Sequence, residues 1–255
     1  MTRPRLVPLL LLDGNRRLVK TVGFGERTYV GDPFNVVRLF NEKEVDEICI
    51  LDIDATAQGR VTDPGLVAEL CSECFMPLAF GGGLKSLQSC EVMNRHGVDK
   101  FVIGTEARRP GFLKEMAEVF GAQAIVACMD VRGGANGRVM VQNGGTATGL
   151  DPLAYARGLQ TAGAGEILLQ SVDRDGHRQG FDLDLIRTVS EAISLPVIAA
   201  GGAGEKAHFR PALKAGASAV ASGSAFSFIG RLRAVLITYP EHGGIDEVGK
   251  REGEG

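Results

Sequence analysis

The chain has 255 residues, 44% hydrophobic and 23% charged, with a formal net charge of -3. That length supports one large core, and near-balanced charge excludes a general nucleic-acid surface, which needs a basic face. No apolar run reaches the roughly 18 residues of a membrane-spanning helix.

Met1-Thr2-Arg3-Pro4-Arg5 leads into the apolar run Leu6-Val7-Pro8-Leu9-Leu10-Leu11-Leu12, which Asp13 ends. The run is short and no small-residue cleavage site follows, so it predicts a buried first strand rather than a signal peptide. Residues 14–32 read as a long polar loop, the kind that forms a lid at a barrel mouth. Further strand candidates follow at 48–53, 77–80, 99–103, 124–130, 166–171, 196–200 and 218–222, with helical patterns between them, for example 33–40, 112–120 and 184–189. The strands are near-continuous apolar runs, as expected where both faces are covered. Eight strand–helix units predict a (β/α)8 barrel over residues 1–240, with an open doubly wound sheet as the alternative. Residues 131–148 are rich in Gly, Asn and Thr, with an edge hairpin around 140–142. Residues 241–255, rich in Gly and Glu, read as a loosely ordered tail.

Five scattered cysteines (Cys49, Cys71, Cys74, Cys90 and Cys128) are an odd number in apolar settings, which predicts reduced thiols in the cytoplasm. Cys71 and Cys74 have the spacing of a redox or metal pair, but no second pair completes a ligand set. His96, His177, His208 and His242 lie far apart. No metal site, and no cofactor, is expected; a dinucleotide fingerprint is missing after the first strand.

The two halves resemble each other. Met76-Pro77-Leu78-Ala79-Phe80-Gly81-Gly82-Gly83 answers Leu195-Pro196-Val197-Ile198-Ala199-Ala200-Gly201-Gly202, and the stretch from Gly97 to Thr105 answers that from Gly216 to Ser224. A repeat of about 120 residues predicts two half-barrels. Each glycine run follows a buried strand, where bare backbone can approach an anion. Two such places predict a phosphate at each end of one substrate.

Acids at strand ends face a barrel's active site. The candidates are Asp13, Asp52, Asp54, Asp130, Asp173 and Asp175. Asp130 ends an apolar run, so desolvation should raise its pKa and suit it to acid–base work. Asp173-Arg174-Asp175-Gly176 reads as an internal ion pair shaping a loop, with Gly176 near the second phosphate. Lys20, in the lid, can close over a substrate.

Together, Leu51-Asp52-Ile53, Phe80-Gly81-Gly82-Gly83, Met129-Asp130, Gly163 to Leu169, Asp173-Arg174-Asp175-Gly176 and Ala200 to Gly204 resemble the HisF family, the cyclase subunit of imidazole glycerol phosphate synthase. The resemblance runs from about Arg5 to about Phe228. It implies a half-barrel repeat, a substrate with two phosphates, and ammonia from a HisH-type glutaminase docked at the far end. It places Gly83, Gly104 and Thr105 at one phosphate, and Asp175, Gly176, Gly202, Gly223 and Ser224 at the other. It makes Asp130 a catalytic aspartate and Lys20 the lid lysine. It makes Arg5, Glu47, Lys100 and Glu166 a charged gate for ammonia, with Asp99 contacting the glutaminase. From the residues alone, these four are surface charges at strand starts.

The sequence departs from the family where its other catalytic aspartate ends the first strand: Leu11 or Leu12 stands there, with Asp13 as the substitute. Gln170 replaces a threonine and Gly104 an asparagine. The segments 28–33 and 41–47 are similar to HisF paralogues that work beside sugar amidotransferases in surface-polysaccharide pathways. The main expectation is therefore such a paralogue, serving sugar amidination. The alternative is the histidine-pathway cyclase, with Asp13 and Asp130 as the acid–base pair. Further alternatives are a silent barrel that activates a glutaminase and a related sugar-phosphate isomerase.

Overall fold

The structure, a computed structural model, describes residues 3–229 and 234–240. Its parallel strands are β1 (Arg5–Leu12), β2 (Ile48–Asp52), β3 (Leu78–Gly81), β4 (Lys100–Ile103), β5 (Ile125–Arg132), β6 (Glu166–Ser171), β7 (Val197–Ala200) and β8 (Ala219–Ser222). Each pairs with the next, and β8 returns to β1 with Arg5 opposite Ala219 and Val7 opposite Ala221. That closure makes a (β/α)8 barrel and rules out the open sheet.

The alternation of a strand explains the two cores. On β1, Val7, Leu9 and Leu11 point inward, where they meet Cys49, Val102, Leu168 and Ile198. Leu6, Leu10 and Leu12 point outward and join Ile48, Ile50, Phe80 and Phe101 beneath the helices. Around the barrel lie α1 (Pro33–Glu42), α2 (Pro64–Ser72), α3 (Leu87–Arg95), α4 (Phe112–Phe120), α5 (Pro152–Thr161), α6 (Leu183–Ser190), α7 (Phe209–Lys214) and α8 (Ser224–Ser227). Three helices begin on the same pair, Asp then Pro. Asp32, Asp63 and Asp151 accept from the N–H groups of Asn35, Gly65 and Ala154 at 3.0, 3.0 and 2.9 Å. The proline that follows has no N–H to leave unbonded, so this dipeptide is a strong helix start.

Two connections differ from expectation. Residues 14–32 are not simply a polar loop. Leu18–Thr21 runs antiparallel to the end of β1, with Leu11 opposite Val19, and pairs with Arg27–Gly31 as a hairpin. Leu18, Val19 and Val30 are buried, which gives this hairpin an apolar anchor. After β5, Arg138–Val141 turns back against it, with Met140 opposite Asp130, and continues to Thr146–Ala147. This is the hairpin expected around 140–142. At the base, the Tyr239 hydroxyl lies 3.1 Å from the Leu6 carbonyl and 3.0 Å from the Asp46 carboxylate, which fastens the C-terminal segment to β1. The expected loose tail at 241–255, with His242, lies outside the described residues.

Phe80 is fully buried between barrel and helices. Truncating such a ring leaves a cavity, so Phe80→Ala should lower unfolding free energy by about 3–5 kcal/mol in urea titrations. A loss below about 1 kcal/mol would contradict this packing.

A candidate active site at the barrel mouth and a charged ring at its base

The mouth cavity is bounded by both hairpins and by the first glycine run. Gly83, Gly104 and Thr105 line it together with Asp130, so the structure brings the first expected phosphate group and the expected acid into one space. Gly82 has φ +134°, and a Cβ there would sit 2.6 Å from the Cβ of Asp52. Glycine is thus required for the loop to pass over the end of β2. Asp52 is held in place beneath it. Its carboxylate accepts from Arg60 at 2.7 and 3.1 Å, from the Thr62 hydroxyl at 2.9 Å and from the Asp54 and Ala55 N–H groups. Asp52 is therefore a scaffold for the glycine run rather than a free acid.

Asp130 points into the cavity from β5, beside Gln170 on β6. Burial raises its pKa to about 6; the Cys128 thiol, donating over 3.5 Å, opposes that shift and Asp175 adds to it. A carboxyl poised there exchanges protons readily near neutrality.

Asp13 has a different place from the one expected of a second acid. It does not line the mouth cavity. Its carboxylate accepts from the Arg17 guanidinium at 3.0 and 2.8 Å and from the Asn15 and Arg17 N–H groups. Burial alone would raise its pKa, but these partners outweigh burial and hold it below the ordinary value. Asp13 therefore shapes the turn into the lid. The inward position on β1 belongs to Leu11, which lines the cavity and offers no proton.

The second glycine run lies beneath the lid. Thr21 donates to Asp175 at 2.6 Å, and the Gly23 N–H bonds the Asp175 carbonyl at 3.0 Å. Gly176 packs on the Thr21 carbonyl, and Gly202 on the Gly180 carbonyl and the Arg174 side chain. Gly223 lies against the Lys20 ammonium, which donates to the Leu9 carbonyl at 2.6 Å. Burial brings the Lys20 pKa down to about 8, with Asp175 opposing. Asp175, Gly176, Gly202, Gly223 and Ser224 are thus outside the cavity that holds Gly83 and Asp130. A ligand reaching them in this arrangement would have to displace the hairpin. The expected ion pair inside Asp173-Arg174-Asp175 is replaced by outside partners: Asp173 accepts from the Gly133 N–H at 2.6 Å and lies 4.0 Å from Arg132. Asp54 pairs with Arg27 in the lid at 2.8 and 2.6 Å.

At the opposite end, Arg5, Glu47, Lys100 and Glu166 meet across the barrel axis. Arg5 pairs with both glutamates, and Lys100 lies 2.7 Å from Glu47 and 3.2 Å from Glu166. The two glutamate side chains are only 3% and 6% exposed. Buried carboxylates persist as ions only when matched by cations, so the ring holds itself together. Asp99 stands on the exposed rim beside it, its carboxylate accepting from the Leu78 N–H at 2.8 Å. Cys71 and Cys74 are free thiols at the end of α2. Among the described residues no group of three metal-binding side chains forms, and no helix is long and apolar enough to cross a membrane.

Gln170, Tyr155 and Cys128 line the mouth cavity without having been singled out by their chemistry in the sequence. The signal was present as alternation: Glu166, Leu168 and Gln170 share one face of β6, as Cys128 and Asp130 do on β5.

Comparison with known proteins places these features in context. The family described as histidine biosynthesis protein matches residues 5–232. A Pseudomonas aeruginosa protein, provisionally named imidazole glycerol phosphate synthase subunit hisF2, is 45% identical over 96% of this chain and 99% of its own. A provisionally named HisF subunit from Leptospira borgpetersenii is 39% identical over 94% and 96% of the two chains. The imidazole glycerol phosphate synthase subunit HisF of Thermobifida fusca is 40% identical over 88% and 90%.

Because the folded-state pKa of Asp130 is raised, folding favours its protonated form. That contribution is fully present below the unfolded value near 4 and is lost as pH rises through about 6. Asp130→Asn should therefore be more stable than the natural chain at pH 7, by about 2–3 kcal/mol at most, and the gap should close below about pH 4. A pH-independent gap in denaturant unfolding would show that Asp130 is not desolvated.

Proposed function

Since this chain belongs to the histidine biosynthesis protein family, we propose that it is a synthase subunit of the HisF type. In this reading it takes ammonia in through the charged ring and uses it at a mouth that holds a phosphorylated small molecule. The observation that carries the reading is the ring itself. Arg5, Glu47, Lys100 and Glu166 stand at one end of an apolar barrel interior, and Asp130 stands at the other. Neutral ammonia crosses an apolar interior more readily than ammonium, which the desolvation cost excludes. A HisH-type glutaminase is the proposed source, seated at the ring end against Asp99.

The reaction proposed is the lyase and cyclase step of imidazole glycerol phosphate synthase in histidine biosynthesis. The relatives named as imidazole glycerol phosphate synthase subunits favour it over the sugar-amidination expectation. Gly83, Gly104 and Thr105 would hold one phosphate. Asp175, Gly176, Gly202, Gly223 and Ser224 would hold the other once the hairpin bearing Lys20 lifts. Asp130 would take and return protons at the reacting atoms, which its raised pKa suits. With Leu11 across from it and Asp13 tied to Arg17, a single carboxyl has to serve as both acid and base. Leu11 also favours a second reading, in which ammonia passes the mouth to an acceptor held by another protein.

The test is turnover of the ribulosyl aminoimidazole carboxamide nucleotide. With added ammonia the barrel should consume it, and no turnover by folded protein at high ammonia would sink the cyclase reading. With glutamine and the glutaminase, Lys100→Ala should reduce the rate by about tenfold or more while the rate with free ammonia stays within about twofold. Equal rates for the variant and the natural chain would reduce the ring to surface charge.

A further inference from the structure

Gln170 is 3% exposed and lines the mouth cavity from β6. Among the described residues its carboxamide has no hydrogen-bond partner, whereas Asp52, which lines the same cavity, is bonded to Arg60 and Thr62. The carboxamide is open to the cavity rather than sealed in the core. A carboxamide that faces a cavity and is not bonded to the protein has its carbonyl and N–H groups available to a molecule held there.

Position says what that ligand is. On β6 the inward face reads Glu166, Leu168, Gln170, from the ring through the apolar middle to the mouth. Gln170 is the register partner of Asp130 on β5. A small polar molecule leaving the apolar interior therefore meets these two side chains together. Ammonia carries N–H donors and one lone pair. The Gln170 carbonyl and the Asp130 carboxylate are both acceptors, so the pair can hold two N–H groups and leave the lone pair free to attack a substrate. Leu11 competes for none of them.

We propose that Gln170 is an ammonia-positioning residue, which with Asp130 forms the receiving site where ammonia leaves the barrel interior. The proposal rests on the reading of the barrel as an ammonia conduit. Its test does not need turnover or a partner.

The side-chain amide signal of Gln170 is identified in nitrogen–proton NMR spectra by its loss in Gln170→Leu. The folded full chain is then titrated with ammonium chloride at alkaline pH, and in parallel with sodium chloride at equal ionic strength. A saturable shift of this signal with ammonium but not with sodium is expected, weakened in Asp130→Asn. No shift, or the same shift with both salts, overturns the proposal. If the nucleotide is turned over, Gln170→Leu should raise the KM for ammonia by about tenfold and leave the KM for the nucleotide within about twofold. The opposite split would place Gln170 on the nucleotide and also overturn it. A saturable ammonium shift in a chain that turns over no nucleotide would leave this site standing while the cyclase reading falls.

Discussion

The ion pairs among Arg5, Glu47, Lys100 and Glu166 set the terms for the rest of the molecule. Two carboxylates buried at the base of a barrel are tolerable only because two cations reach them across the barrel floor. Arg5, Lys100 and Glu166 open β1, β4 and β6, and Glu47 immediately precedes β2. A slip of one residue in β1, β4 or β6 would swing a charge into the helical layer and Leu6, Phe101 or Ile167 into the ring. The ring therefore fixes the register that puts Leu11 and Gln170 on the inward face at the other end, and Gln170 stands in register with Asp130 on β5. Base and mouth are coupled through strand alternation, with no moving part between them.

The mouth is asymmetric although the sequence repeats. The first glycine run opens onto the cavity with Asp130, and Asp52 stiffens it through Arg60 and Thr62. The second is covered by the Leu18–Thr21 strand, whose Thr21 bonds Asp175 and whose Lys20 packs on Gly223. Those contacts are few: one side-chain bond to Asp175, one backbone bond from Gly23 and the packing of Lys20 on Gly223. The lid tip reaches across to the other hairpin, since a Cβ on Gly144 would lie 2.7 Å from the Phe24 ring. Phe24 adopts φ +64°, a conformation that costs a bulky residue of the order of 1–3 kcal/mol and that tertiary contacts must hold. Over the second glycine run the lid is thus held by a few polar contacts, while Leu18, Val19, Val30 and the Arg27–Asp54 pair anchor the rest of the hairpin.

The barrel was legible because its strands are apolar on both faces and alternate with helical patterns along the whole length. The half-barrel repeat was legible because glycine runs recur where backbones approach too closely for a Cβ. The lid hairpin was not, because Leu18, Val19 and Val30 are single apolar residues in polar surroundings, and their burial depends on the end of β1. Asp13 looked like an acid at a strand end, yet the choice between cavity and turn is made by Arg17, four residues on. Charges at strand starts gave no sign of a ring from spacing alone, since they meet only when the barrel closes. Gln170 was visible as a replaced threonine, but its lack of a partner is a fact of three dimensions.

The central claim is that ammonia travels inside the barrel from the ring to Asp130. The direct measurement is isotopic. The barrel and its glutaminase are supplied with glutamine labelled with nitrogen-15 at the amide, the nucleotide substrate and a large excess of unlabelled ammonium. Passage through the barrel predicts a product enriched in the label far beyond its share of the total ammonia. A product that merely mirrors the bulk mixture would show that ammonia reaches the mouth through solvent, and would contradict the account.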